Sequence, residues 1–168
     1  SGCYNVGAIT AKDGAGGIIG SIQGSHTVKN CYNSAKITMT GNPFHGYGAI
    51  AGLMPSDTEL QNCFYNSALT DRGIYNGSDT AIAKTDDEMK SAETLALMGE
   101  GFKADRYALV NGGYPLVYWQ KAEDADKIDN VVSLIDAIGT VTEDSADKIN
   151  DARNAFDNLD ESLHGYVS

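Results

Sequence analysis

The sequence predicts a mainly β chain of β-solenoid-like stacked repeats. An α/β cap closes the repeats, and a short α-helical hairpin follows. Three observations predict it. A cysteine-centred motif recurs three times in the first half of the chain. Glycine-flanked apolar runs recur between the copies in the same order. Beyond Gln120 the texture changes to an acidic segment with apolar residues at intervals of three and four. The predicted domains are 1–120, a repeat region whose cap occupies 84–120, and 121–168, a partial helical module.

The three copies of the motif begin Gly2-Cys3-Tyr4-Asn5, Asn30-Cys31-Tyr32-Asn33 and Asn62-Cys63-Phe64-Tyr65-Asn66, the third with one extra aromatic. Between them lie Gly16-Gly17-Ile18-Ile19-Gly20 and Gly48-Ala49-Ile50-Ala51-Gly52. Val28 or Leu60 follows each run, three residues before the next cysteine. Short β-branched runs broken by Gly and Asn are strand-and-turn chemistry. One such unit cannot bury an apolar face alone, so the units must stack. Stacking at a strand spacing of ~4.8 Å predicts inward ladders: Ile9/Ile37/Leu69, Ile18/Ile50, Ile22/Met54, Val28/Leu60 and Cys3/Cys31/Cys63. Asn5, Asn33 and Asn66 belong at turns, where the amide bonds to nearby backbone. The repeat glycines serve tight corners and positive φ. A propeller or sandwich fits less well, because both need longer strands.

The cysteines read as a buried apolar ladder, since a free thiol packs like a small hydrophobe. Their odd number forbids complete pairing within the chain. A reactive thiol needs an activating neighbour, and His26, His45 and His164 show no recurring offset from the cysteines. No Cys-x-x-Cys spacing supports zinc.

From Thr85 onward the pattern turns helical. Thr85 and Glu88 have capping-box spacing, and Asp86 and Asp87 suit the first turn. Met89, Ala92, Leu95, Ala96 and Met98 follow a helical period, with Gly99 as the stop. Tyr114 to Trp119 reads as an edge strand. Helix and strand together would cover the open end of the last coil. In the tail, Ala125, Ile128, Val131, Val132, Ile135 and Ile138 form one helix face. A second helix runs from Asp144 or Ser145 to Leu159 with Ile149, Ala152, Phe156 and Leu159 inward. A third is only begun at Leu163–Val167. The acids at 123–129 lack the glycine and distal Glu of a calcium loop and read as solvated.

The Asn-Cys-Tyr-Asn, Gly-Gly-Ile-Ile-Gly, Val-x-Asn-Cys-Tyr-Asn order over residues 1–83 resembles the GLUG-type repeats of Gram-positive, gut-dwelling bacteria. Those repeats occur in large multimodular surface and secreted proteins, some of them immunoglobulin A peptidases. Thr85–Lys90, Gly101-Phe102 and Asn111–Trp119 resemble the segment that closes such arrays. Residues 132–142 with Ala152–Phe156 are similar to small three-helix spacer modules of surface proteins. The resemblance implies an extracellular, secreted or cell-wall setting. It also implies that the neighbouring domains of a larger parent chain are the partners. Both ends look cut, so a fragment is expected, with a first repeat whose open edge favours self-association.

Charge limits the partners further. Twelve Lys and Arg face 23 Asp and Glu, for a net charge of −11. This disfavours nucleic acid and anionic membrane, which need clustered cations. No apolar run reaches the ~18 residues of a membrane span, so no membrane insertion is expected. Three function classes remain. The first is a non-catalytic stalk or adhesion module. The second is an ancillary module for host or dietary glycans, with Tyr4, Tyr32, Tyr65 and Trp119 as stacking rings. The third is an enzyme, which needs convergent acids. No acid recurs at a repeat position, so no catalytic residue, metal ligand or cofactor is assigned.

Overall fold

A computed structural model describes residues 1–41, 46–76 and 79–167. The chain divides into two compact units, Ser1–Ala104 with Tyr114–Trp119, and Asp105–Gly113 with 120–168. The architecture is mixed α/β rather than mainly β, with 32% helix against 26% strand. The reason is strand length. Among the described residues, no strand outside one parallel sheet exceeds three residues, whereas the two longest helices have 14 and 12.

In the first unit the repeats pair in parallel, strand on equivalent strand. β1 (Cys3–Asn5), β5 (Thr27–Asn33), β9 (Glu59–Asn66) and β10 (Ile82–Lys84) form a four-stranded sheet in that order. Three further parallel pairs join β2 (Ile9–Ala11) to β6 (Ile37–Met39), β3 (Ala15–Gly16) to β7 (Tyr47–Gly48), and β4 (Ile19–Ser21) to β8 (Ala51–Leu53). The register matches the repeats: Cys3 pairs with Cys31 and Cys31 with Cys63, Val28 with Leu60, and Ile9 with Ile37. Two ladder expectations need correction. Cys3 is exposed although its two partners are buried. Leu69 is also exposed, because the chain turns back on Asn66 where the third repeat would have formed a strand.

One column sets which side each residue faces. Gly2, Asn30 and Asn62 occupy the position before each cysteine, with φ of 71°, 54° and 49°. A regular strand would send Val28 and Cys31 to opposite faces. The left-handed Asn30 between them resets the alternation. Val28, Cys31, Leu60 and Cys63 therefore share one core with Ile50, Met54 and Ile74. The next residue in each copy faces the other way. The glycine runs work differently from the expectation of positive φ. A Cβ on Gly16 would fall 2.0 Å from the Ile19 carbonyl oxygen, and one on Gly48 2.3 Å from that of Ala51. Close backbone approach at the corners requires these glycines, not left-handed geometry.

The cap lies over the sheet face, and only β10 runs along its edge. α1 (Asp86–Met89) carries the expected capping box between Thr85 and Glu88. The helix stops after one turn and restarts at Ser91, whose side chain accepts from the Thr94 N–H and caps α2 (Ala92–Met98). Met89 and Met98 are buried as expected, but Ala92 and Ala96 are exposed and Thr94 is buried. The restart rotates the apolar stripe. A short antiparallel pair, β11 (Phe102–Lys103) with β12 (Leu116–Val117), completes the cap. Only two residues of the expected Tyr114–Trp119 strand are extended and paired.

In the second unit, α3 (Glu123–Asp136) and α4 (Ala146–Asp157) pack through Ile128 and Val131 of α3 and Ala155 and Phe156 of α4, with Leu159 from the turn after α4 and Leu163 from a terminal 3₁₀ turn. Ile135, expected on the buried face, is 42% exposed. Asp105 fastens the segment 105–113 by accepting from the N–H groups of Val110, Asn111 and Gly113 at 3.1, 2.6 and 3.0 Å. Arg106 then pairs with Asp126 and Asp129, and the Tyr107 hydroxyl donates to Asp129 at 2.7 Å.

Candidate functional site

The aromatic column is the feature with the most recognition chemistry, so the register there decides much. Tyr4 pairs with Tyr32 and Tyr32 with Phe64. The extra residue in the third copy thus gives the ladder place to Phe64. Tyr65 falls opposite Asn33 and Ala83 instead. The Tyr4 and Tyr32 rings stack at 5.1 Å with 4° between planes, and Tyr114 lies 6.1 Å from Tyr32 at 15°. Tyr32 is fully buried with Phe64, Met89, Met98 and Phe102. Its hydroxyl donates to the Pro115 carbonyl at 2.6 Å.

This corrects two sequence-derived site residues. Tyr32 and Tyr65 are buried and offer no face to a sugar. For Tyr32 the physical cause is the left-handed residue before the cysteine: it turns the thiol to the core and the next ring to the face that lies under the helices. Tyr65 falls one place further on, opposite Asn33, and is buried there. Tyr4 is half-buried at the end of the stack. Trp119 is 79% exposed and Tyr118 71%, in the turn after β12. These two side chains keep ring surface open to solvent. From sequence, Tyr114, Tyr118 and Trp119 read as buried cap aromatics, with a sugar-stacking platform as the alternative; Tyr114 packs against the ladder, whereas Tyr118 and Trp119 stay open.

A polar cluster fastens the cap beside the ladder. Asn66 donates through Nδ2 to Asp86 Oδ1 at 3.1 Å and to the Tyr114 hydroxyl at 3.3 Å. Tyr114 donates to Asp86, and Lys90 pairs with Asp86 at 2.6 Å while standing 4.7 Å from the centre of the Tyr114 ring. Lys90 beside Asp86, helped by the Tyr114 hydroxyl, holds the carboxyl below its ordinary range. Burial, then Asp86, pushes the Tyr114 hydroxyl up. Lys90, Tyr114 and Asn66 all stabilise the Asp86 carboxylate, so the cluster works as a clamp between α1, β9 and the segment before β12. The asparagines also do what their spacing predicts. Asn5 and Asn33 donate to the carbonyls of Gly7 and Ala35, and Asn66 accepts from the Ala68 N–H. Asn5 also donates to Asn33 Oδ1 at 2.8 Å, joining the first two repeats.

The thiols form a column on the inner side. Cys31 and Cys63 are 1% and 0% exposed, while Cys3 is open. Cys31 contacts the Lys29 carbonyl at 3.3 Å, and Cys63 that of Val28 at 3.4 Å. The Cys63 thiol beside it lowers the Cys31 thiol against the opposing effect of burial. Cys63 is pushed up by the same contact and by burial.

Grooves elsewhere carry little convergent chemistry. One is lined by Met54, Glu59, Leu60, Gln61, Ile74 and Thr80, and its single carboxylate, Glu59, accepts from Gln61 at 3.3 Å. Another holds one acid, Asp13, with Gly20, Gln23 and Leu53 in its lining. Among the described residues, no three His, Cys, Asp or Glu side chains are grouped to hold a metal ion. The rings of His26 and His164 sit against the carbonyls of Gln23 and Leu159; His45 lies outside the described residues. No helix among the described residues is long and apolar enough to cross a membrane. No protein-family model, no curated protein and no solved structure matches the chain.

Proposed function

We propose that the chain is a non-catalytic structural and adhesion module, a stalk or spacer, of a large bacterial cell-surface or secreted protein. In this reading the first unit is a short β-solenoid of GLUG type. Its neighbours in the parent chain are its partners, and its setting is extracellular. One observation carries the reading: the repeated side chains are spent on each other. Cysteine meets cysteine, tyrosine stacks on tyrosine and asparagine bonds to asparagine at matched register. A repeat built this way transmits order from coil to coil and leaves few recurring groups for a ligand.

The test displays the chain between a cell-wall anchor and a reporter on a bacterial surface. Antibody access to the reporter should rise above that of a directly anchored reporter and fall when the repeats are unfolded by Gly48→Val. Access no better than direct anchoring sinks the stalk reading.

A second reading has its own observation. Trp119 and Tyr118 expose adjacent aromatic rings, the usual platform for stacking on a sugar face. It makes the chain an ancillary glycan-binding module of a secreted enzyme or peptidase. Retention on a mucin and plant-polysaccharide array that disappears with Trp119→Ala supports it. Retention unchanged by that substitution removes Trp119 as its site.

A further inference from the structure

We propose that Cys31 and Cys63 are a two-coordinate site for Cu(I), a soft monovalent cation that bridges the second and third repeats from inside the first unit. The two residues are direct partners in the parallel register of β5 and β9. Both are buried, at 1% and 0% exposure, in one cluster with Val28, Ile50, Met54 and Leu60.

Local geometry gives the two thiols the same direction. Each follows a left-handed asparagine, Asn30 with φ of 54° and Asn62 with φ of 49°. Each thiol then donates to the carbonyl two residues back, Cys31 to that of Lys29 at 3.3 Å and Cys63 to that of Gln61 at 3.5 Å. Lys29 and Gln61 are themselves register partners. Equivalent atoms on such strands lie one strand spacing apart, ~4.8 Å. That gap is too wide for a disulfide, whose sulfurs are ~2.05 Å apart and whose Cβ atoms approach to about 3.8 Å. β5 and β9 have seven and eight residues and are paired with each other along most of that length, which holds the spacing. The gap is close to twice the ~2.3 Å of a metal–thiolate bond. A cation midway between the sulfurs therefore meets both with little strand movement. The Cys63 sulfur already leans toward the neighbouring coil, 3.4 Å from the Val28 carbonyl oxygen.

The donor set selects the metal. Thiolate and thioether donors favour Cu(I), and Met54 brings a thioether to the same cluster. Structural zinc takes four ligands, and among the described residues no three His, Cys, Asp or Glu side chains are grouped. A monovalent cation with a filled d shell is satisfied by two sulfurs in line. On binding, two S–H bonds break, two Cu–S bonds form and two protons leave to solvent. The site passes from two neutral thiols to a bis-thiolate complex of charge −1, and no electron is transferred. Metal held only by the stacked repeats stabilises the stack.

The reduced full chain is loaded with one equivalent of Cu(I) without oxygen, once as the native chain and once during refolding from urea, because both sulfurs are buried. After desalting, copper should remain at one per chain and raise the melting temperature. Its X-ray absorption should show two short bonds to sulfur at ~2.3 Å. Competition with a chromophoric chelator reads the affinity. Cys63→Ser should lower it more than ~100-fold, beyond the effect of an outer-shell change, whereas Cys3→Ser should stay within about twofold of wild type. The absorption spectrum is read on the wild type, so it decides the matter even where Cys63→Ser fails to fold. Copper missing after both loadings overturns the proposal. So does a shell of nitrogen and oxygen or of three equal sulfurs, loss of copper in Cys3→Ser, or displacement by equimolar Zn(II).

Discussion

Replacing Tyr32 with phenylalanine keeps the ring and removes the hydroxyl. In the folded chain that hydroxyl is buried and donates a 2.6 Å hydrogen bond to the Pro115 carbonyl, linking the second repeat to the segment that enters β12. The substitution leaves a buried acceptor without this donor, a loss of about 1–3 kcal/mol. For a unit of roughly 100 residues, each kcal/mol moves the melting temperature by ~4–6 °C. The transition of the first unit should therefore fall by ~4–18 °C. Tyr32→Ala also removes a ring stacked at 5.1 Å on Tyr4. Its loss of ~3–5 kcal/mol is comparable with the whole stability margin of a small domain. Trp119→Ala, at a side chain 79% exposed, should stay within about 0.5 kcal/mol of wild type. Calorimetry on the full chain, with near-ultraviolet circular dichroism following tyrosine packing, reads all three. A Tyr32→Phe transition within about 1 °C of wild type would refute the reasoning, since it would mean that the Pro115 carbonyl does not depend on this hydroxyl.

The column of left-handed residues is tested at Asn62, whose φ is 49°: Asn62→Gly should keep the urea midpoint nearly unchanged, while Asn62→Val should cost about 1–3 kcal/mol. At Gly48 a Cβ would meet the Ala51 and Gly73 carbonyl oxygens at 2.3 and 2.6 Å. Both are backbone atoms, so Gly48→Ala should cost about 3 kcal/mol or more, and a wild-type midpoint would contradict the corner geometry. The Asp86 clamp predicts a pH dependence. The folded carboxyl lies below its unfolded value because of Lys90 and Tyr114, so its contribution is complete above the unfolded pKa of about 3.9 and is lost as pH falls through the folded one. Wild type should lose more stability than Asp86→Asn on acidification below pH ~5, and parallel urea midpoints would show that Asp86 is uncoupled.

Repetition is what makes the β part legible from sequence. Once the three cysteines are aligned, a parallel stack forces Ile9 against Ile37 and Val28 against Leu60, and both pairs occur. What repetition cannot convey is sidedness. Alternation places cysteine and tyrosine on opposite faces, but which face meets the helices depends on the partner. The only written trace of the reset is a column of Gly and Asn before each cysteine. The insertion at Phe64-Tyr65 is ambiguous for a related reason: either ring satisfies the pattern until the pairing of β9 with β5 fixes the register. The helix break at Ser91 was hidden because Ala92 and Ala96 fit the apolar period by size without being buried. The 105–113 segment was least legible. Its shape comes from one carboxylate bonding to backbone five to eight residues away. Its left-handed Tyr107 and Ala108 are residue types that give no notice of that conformation.

The left-handed column has an effect on how the fold can change over time. Each repeat carries two interlocking surfaces on one strand, one for the coils and one for the helices. A copied repeat inserted between β5 and β9 would arrive with its thiol, ring and amide already at the heights its neighbours need. The inner column would simply lengthen. The helix cover has a fixed footprint, spanning Tyr32 and Phe64 from Met89 to Met98, so a longer stack would leave its outermost rings bare. Length and surface chemistry are thereby coupled: adding coils exposes aromatic rows that the present number of coils keeps covered.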